Sequence, residues 1–422
     1  MDQAYRKYVG IDWATQAHQM CVIDGDRQVL EERSVEHAGA AIAQCIEWLM
    51  RISGGDPGSL AVAIETPRGA IVEVLVERGF HVYAVNPKQL DRFRDRHTVA
   101  GAKDDRRDAF VLADSLRTDQ PCFRRVVVDD PLIIQIRELS RIDDDLRGEA
   151  NRLQNRLREQ LHRFFPQMLG LSPAADEPWL WSLIELAPTP AAAARLRKAS
   201  VEKILRAHRI RRLSADEIVD KLRTPALQVA PGAVEAASVH IELLLPRLRL
   251  VHAQRADCGR HIEVLLDRLA PAEDPKGQKC EHRDVQILRS LPGVGRVVAA
   301  TMLAEASQPL AERNYHALRA HGGVAPVTKQ SGKRAHVSMR HGCDARLRNA
   351  YYHWARVSAQ VDPHSKAQYA ALRQRGHTHG RALRSVADRL LRILVAMLKS
   401  STLYDPNRSR RVPAGAPSPV TA

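Results

Sequence analysis

From Tyr8 to about Val128, short apolar runs alternate with amphipathic stretches. YVGIDWA (8–14), HQMCVIDG (18–25) and QVLEERSV (28–35) have the length and branched apolar content of strands. A helix near Ala41–Ile52 follows, then the apolar run LAVAIET (60–66), a helix around Ala70–Arg78, the strand HVYAVN (81–86) and a helix from about Asp105 to Leu116. Three strands followed by alternating helix and strand predict an α/β domain on a mixed sheet, with the first strands as an antiparallel meander. The DGD step at Asp24–Asp26 reads as a hairpin turn.

The period changes at Pro131. Ile136, Leu139, Leu146, Ala150, Leu153, Leu157 and Phe164 recur at heptad-like spacing, interrupted by Asp143, and predict one long helix to Phe165. A less regular helical region with breaks at Pro188 and Pro190 leads to a second long amphipathic segment, about Val234–Leu269, in which Pro246 should cause a kink. Two long helices separated in sequence predict an antiparallel or intersubunit coiled-coil arm. APAEDPKGQK (270–279) has linker composition. After it come a helical unit around LRSLPGVGRVVAATMLAEA, a glycine-containing basic loop and a closing amphipathic helix, GRALRSVADRLLRILVAMLK. The tail from about Pro406 is rich in Pro, Ser, Arg and Ala and reads as disordered. The divisions are therefore 5–128, 130–275 and 283–400, with a tail at 406–422.

A chain of 422 residues with 44% hydrophobic and 27% charged content is long enough for two or three folded domains. Its 64 Lys and Arg against 49 Asp and Glu leave a net charge of +15, which points to a polyanionic partner, nucleic acid first. The six cysteines form no CxxC pair, so neither a disulfide framework nor a zinc knuckle is indicated. No run approaches the ~18 apolar residues of a membrane span. A cytoplasmic protein without membrane contact is expected.

Candidate chemistry lies in two places. Asp12 ends the first strand, Glu65 ends the strand in LAVAIET, and Asp105 and Asp108 share one face at the start of a helix. Converging carboxylates repel unless a cation compensates them, and magnesium is the natural candidate. Two such ions activate an attacking oxygen and stabilise a leaving one in phosphodiester chemistry. Any one of these acids alone reads better as a cap or a solvated ion-pair partner, and spacing does not separate Asp104 from Asp105.

The second place is HGGVAPVTKQSGKRAHVSMRHGCDARLRNA, where Ser331 precedes Gly332 and Lys329, Lys333, Arg334, Arg340, Arg346 and Arg348 face one acid, Asp344. These cations suit a scissile phosphate, and a serine among them is placed to attack phosphorus. Ser-Gly alone is usually a plain turn. Ser338 is a rival without the adjacent glycine, and His336 and His341 receive no role. Upstream, Gly293 and Gly295 in LPGVGRVV read either as a helix-hairpin-helix-like element holding a DNA phosphate or as a tight interhelical turn.

Taken together and in order, VGIDWA, AIETP, NPKQLDRFRDRHTVAGAKDDRRDAFVLAD, LPGVGRVVAATMLAE and GGVAPVTKQSGKRAHVSMRHGCDARLRNA resemble the DEDD transposases of insertion-sequence family one-ten, also described as bridge-RNA-guided recombinases. The resemblance implies a RuvC-like, RNase H-type first domain with its tetrad at Asp12, Glu65, Asp105 and Asp108. The family segment reads Lys, a small polar residue, Asp, two variable residues, Asp, Ala; residues 103–109 match it except for Asp104 at the small polar position, which favours Asp105 over Asp104. It further implies a mainly helical transposase domain with Ser331 as nucleophile, magnesium-dependent cleavage in which manganese can substitute, and a covalent serine–DNA intermediate. The implied partners are donor and target double-stranded DNA, a structured noncoding bridge RNA, and further copies of the chain in a dimer or tetramer. Against this stand a metal-only RuvC-like structure-specific nuclease, an actin-like sugar kinase suggested by VGIDWATQAH, and a non-catalytic nucleic-acid binder.

Overall fold

The alternating first third of the sequence folds around a single mixed sheet. A computed structural model of the chain describes residues 5–96, 104–126, 130–230, 232–270, 282–332 and 334–406. The linker assignment beyond Ala270, the tail beyond Pro406, and Lys103 and Lys333 lie outside the described residues. Chain contacts divide into two units, Met1–Asp130 and Pro131–Ala422.

In the first unit β1 (Lys7–Asp12), β2 (Ala17–Asp24) and β3 (Val29–Glu36) form the antiparallel meander. After α1 (Gly39–Ile52), β4 (Leu60–Ile64) pairs parallel with β1; after α2 (Ala70–Glu77), β5 (His81–Ala84) pairs parallel with β4. Two further helices, α3 (Pro87–Asp95) and α4 (Asp105–Asp119), precede a short β6 (Arg124–Arg125) antiparallel to β5, so the sheet order is β3-β2-β1-β4-β5-β6. Every residue of the central β4 is buried, which is why its sequence is an unbroken apolar run. One sheet face packs Val9, Ile11, Val62 and Ile64 against Trp48, Leu49 and Leu75. The other packs Tyr8, Ala61 and Ala63 against Ala109, Leu112, Ala113 and Leu116 of α4.

Gly10 decides how closely α4 lies on β1. A β-carbon there would sit 1.8 Å from the Ala109 carbonyl oxygen and 2.7 Å from the Ala113 nitrogen. Only glycine admits the helix at that height.

Two histidines make this unit sensitive to acid. His18 is fully buried with its Nε2 2.9 Å from His37 Nδ1, and burial, then the charge of His37, holds its pKa below the usual range. His81, whose Nδ1 lies 2.7 Å from the Tyr5 hydroxyl, is lowered by burial and then by Arg125. Both bind a proton less readily in the folded protein than in the unfolded chain. The stability they support is complete above the unfolded value of about 6.5 and is lost as pH falls below it. Denaturant midpoints of this unit should therefore fall between pH 7.5 and 5.5 in wild type and fall less in His18→Gln. Equal pH responses in the two proteins would contradict the assignment.

The second unit is built on α5 (Pro131–Phe164) and α11 (Ala233–Arg268). They run antiparallel: Cys258 Sγ donates to the Leu139 carbonyl at 3.1 Å, Arg255 Nε pairs with Asp143 at 3.2 Å, and Arg247 with Glu149 at 3.8 Å. Asp143, which interrupts the apolar stripe, is thus buried with a cationic partner. Pro246 lies inside α11, whose helical span runs on both sides of it. Between the long helices, α6 (Pro166–Leu169), α7 (Pro178–Leu186), α8 (Pro190–Ala194), α9 (Lys198–Ala207) and α10 (Ala215–Leu222) form a cap. Phe164, Phe165, Trp179 and Trp181 centre its core.

The opposite ends of the long helices, with Ile133, Ile136, Ile262 and Leu266, enter a separate core. It is completed by α12 (His282–Ser290), α13 (Arg296–Glu305), α14 (Ser307–Ala311), α15 (Tyr315–His321), α16 (Ala345–Val361), α17 (Pro363–Gln374) and α18 (His379–Ser400). One expectation is corrected here. The segment read as a basic loop is a hairpin of β7 (Val327–Ser331) and β8 (Arg334–Ser338). Its positions from Thr328 to Val337 are exposed wherever described, so neither face acquired the apolar alternation that marks a half-buried strand.

Candidate active site

Asp12 and Glu65 each follow the last paired position of adjacent parallel strands, Ile11 opposite Ile64. Strand alternation puts Asp12 on the face of Tyr8 and Gly10, and Glu65 in line with Ala61 and Ala63, the face that α4 covers. The direction of α4 follows from its last turns. Arg117 donates to the Gly25 carbonyl at 3.3 Å and Asp114 pairs with Arg27 at 3.3 Å, at the turn beside the Lys7 end of β1. The helix start, with Asp105 and Asp108, therefore lies at the Asp12 end. All four acids of the expected tetrad thus lie toward the same end of the central strands β1 and β4. Asp12 and Glu65 are half-buried, Asp105 is exposed and Asp108 is buried.

Asp108, 1% exposed, accepts from Arg94 Nε at 2.6 Å and from Nη2 at 2.7 Å. Arg94 Nη1 also donates to Asp91 at 2.6 Å. Burial alone would depress the guanidinium, but the Asp108 hydrogen bond and the charges of Asp108, Asp91 and Glu65 outweigh it and push the pKa up. Glu65 therefore acts on the same cation as Asp108. Among the described residues no group of three or more His, Cys, Asp or Glu is gathered tightly enough to hold a metal ion. In this conformation Arg94 is the counter-cation of Asp108. The donors at this end are nevertheless all carboxylates, the set that hard divalent ions such as Mg2+ and Mn2+ prefer.

The sequence reading missed α3 and with it Arg94. The signal was Asn86-Pro87: Asn86 caps the helix by accepting from Lys88 N at 2.9 Å, and proline occupies the first turn. Asp104 caps α4, its carboxylate accepting from Arg106 N at 3.3 Å, which leaves Asp105 exposed beyond it.

In the second unit Ser331 sits at the tip of the hairpin, paired with Arg334 across a turn that Gly332 makes at φ +57°. Lys329 and Arg334 are exposed beside it. Ser338 pairs with Val327 at the root, the far end of both strands. Arg340 donates to the Ala325 carbonyl at 3.3 Å and anchors that root. Two residues counted from the sequence are otherwise engaged. Arg346 pairs with Asp144 and Glu305, each at 3.2 Å, joining α16 to α5 and α13. Asp344 caps α16, accepting from Leu347 N at 2.7 Å.

Gly293 and Gly295 lie in the turn between α12 and α13. Gly293 has φ +80°, and a β-carbon there would meet Ser358 N at 2.8 Å. The turn is fastened to α16 by Trp354 Nε1 and the Ser358 hydroxyl, donating to the Pro292 carbonyl at 3.0 and 2.6 Å. Close packing thus accounts for Gly293. Gly295, open at its β position, is the N-cap of α13 and lines a surface cavity of about 510 Å³ with Arg296 and His353.

Comparison with known proteins places both regions. Residues 9–166 match the DEDD transposase family of IS110, described as "Transposase", and residues 285–370 match the "Transposase IS116/IS110/IS902 family". A "Putative transposase y4uE" of Sinorhizobium fredii is 52% identical over 229 residues, a span of 54% of this chain and 62% of that protein. The "Mini-circle putative transposase for IS117" of Streptomyces coelicolor is 31% identical over 412 residues, covering 95% of this chain and 96% of the relative. An IS110 protein of 43.6 kDa from the same organism is 30% identical over 368 residues, 85% of each chain.

Proposed function

The chain belongs to the IS116/IS110/IS902 transposase family, and from that premise we propose that it moves an insertion sequence by serine-mediated strand exchange. It is an enzyme acting on DNA. The observation that carries the proposal is the placement of Asp12, Glu65, Asp105 and Asp108 toward one end of the central strands of a β3-β2-β1-β4-β5-β6 sheet, consistent with a DEDD nuclease-like fold. A divalent ion held there, magnesium or manganese, would polarise the scissile phosphate. The Ser331 hydroxyl attacks phosphorus, a P–O bond to the neighbouring nucleotide breaks, and the departing strand end takes up a proton. The enzyme is left as a phosphoserine ester, which a second strand end reverses.

Lys329, Lys333 and Arg334 hold phosphates near the serine, Arg340 takes one at the root of the hairpin, and the amides around Gly293 and Gly295 take a further backbone phosphate in a helix-hairpin-helix manner. Donor and target duplexes are the substrates, and a structured noncoding RNA pairs with both, so that base pairing chooses sequence while the protein holds backbone. Oligomerisation through the long helices is favoured by Val239, Leu243 and Leu250, 56%, 66% and 58% exposed at heptad-like spacing on the outer side of α11. A second copy covering that stripe makes the two helices part of an intersubunit coiled-coil arm. No described helix is long and apolar enough to cross a membrane.

One observation favours a metal-dependent nuclease without serine chemistry instead. Ser331 is exposed and has no side-chain hydrogen bond to a base among the described residues. The two readings separate when the chain, its RNA and end-labelled donor and target DNA are incubated with Mg2+ and denatured. The proposal expects a protein-linked DNA species that EDTA prevents and Mg2+ or Mn2+ restores. Cleaved ends without any linked species would establish the nuclease.

A further inference from the structure

We propose that the corner between α17 and α18 is a docking surface for an unpaired DNA strand leading away from the Ser331 hairpin. Between Asp362 and Asp388 the chain contains no acid, but it carries Lys366, Arg373, Arg375, Arg381 and Arg384 together with several histidines. The turn is made by Gly376 at φ +80°. Among the described residues no carboxylate pairs with any of these five cations. Arg384 is held down by burial and then by the charge of Arg381, two guanidiniums crowded without an acid between them. Such crowding raises the energy of the free protein and is relieved by a polyanion.

Two tyrosines stand in the middle of this field. Tyr352 of α16 has its hydroxyl 3.2 Å from His379 Nε2, and Tyr369 of α17 has its hydroxyl 2.7 Å from Nδ1 of the same ring. Both tyrosine rings stand edge-on to the imidazole, at 84° and 83°. A neutral imidazole donates through one nitrogen and accepts through the other, so one ring pins both phenols. Tyr352 remains 39% exposed. Cations around a fixed aromatic side chain suit a strand whose bases are free to stack, which duplex bases are not.

The surface is continuous with the hairpin. Arg384 Nη1 lies 3.1 Å from the sulfur of Met339, the residue after β8, and Arg340 follows. That continuity selects DNA as the strand and rests on the serine reading given above. Binding can be measured without metal or cleavage, so failure of the adduct experiment and failure of this one are separate results.

The test is fluorescence anisotropy of the full chain with labelled oligothymidylate, oligouridylate of equal length, and a DNA duplex. Arg375→Ala combined with Arg381→Ala should weaken oligothymidylate binding about tenfold and flatten the log–log salt slope by about 1.4, roughly 0.7 for each lost phosphate contact. Tyr352→Ala should weaken oligothymidylate by about fivefold or more, a stacking loss, and leave the duplex unchanged. Wild-type affinity in these variants overturns the proposal. Equal losses on duplex overturn it in favour of a general phosphate face, and losses confined to oligouridylate overturn it in favour of RNA. Unchanged melting temperatures, expected for exposed residues, confirm that the variants are folded.

Discussion

Replacing Ser331 by alanine is expected to abolish the denaturation-resistant protein–DNA species while leaving the fold intact. The side chain is exposed at a hairpin tip, so its loss should change stability by no more than about 0.5 kcal/mol. Under the proposed serine chemistry the substitution removes the atom that bonds to phosphorus, and strand exchange should drop by at least about a thousandfold. Ser338→Ala is the matched control, because Ser338 lies at the opposite end of the same strands, opposite Val327. It should retain the linked species. If Ser331→Ala still yields linked DNA, the nucleophile lies elsewhere; if both proteins cut without linking, the chemistry belongs to the four acids alone.

The second large effect concerns Arg94. Arg94→Met leaves the Asp108 carboxylate, 1% exposed, without the guanidinium that fills both of its oxygens. Breaking a buried pair from one side costs more than the pair contributed, because a charge is left uncompensated. The Arg94 side chain is itself 23% exposed, so solvent softens the loss to about 3 kcal/mol. The same substitution clears a competing cation from the proposed metal site. Without divalent ions the variant should melt well below wild type, and Mn2+ should raise its melting temperature by more than it raises that of wild type. Calorimetry should also show tighter Mn2+ binding. A purely structural pair would give the lower melting temperature with no difference in the response to Mn2+, which would remove Asp108 from the metal-binding set.

The elements that were legible in the sequence are those whose burial is one-sided or complete. β4 announced itself as LAVAI because every position is buried, and α5 because one stripe faces α11. The positions of Asp12 and Glu65 at the ends of apolar runs were legible for the same reason, since the last paired residues, Ile11 and Ile64, end the core. The hairpin carrying Ser331 left no such mark, since both of its faces meet solvent. The helix with Arg94 was signalled only by its cap, because Leu90 is its one fully buried residue.

Local sequence thus determined the mixed sheet, the two long helices and the approximate place of each carboxylate, because periodicity records which side of an element is covered. Tertiary structure alone decided which charges find each other. Arg94 meets Asp108 across the α3–α4 connection, while Arg346, one of several cations around the serine in sequence, is drawn into Asp144 and Glu305. It also decided why Gly10 must be glycine, through a backbone ninety-nine positions away at Ala109. Pairing depends on distances between residues remote in the chain, and a pattern of hydrophobic and polar positions carries the direction of a side chain but not the identity of what it meets.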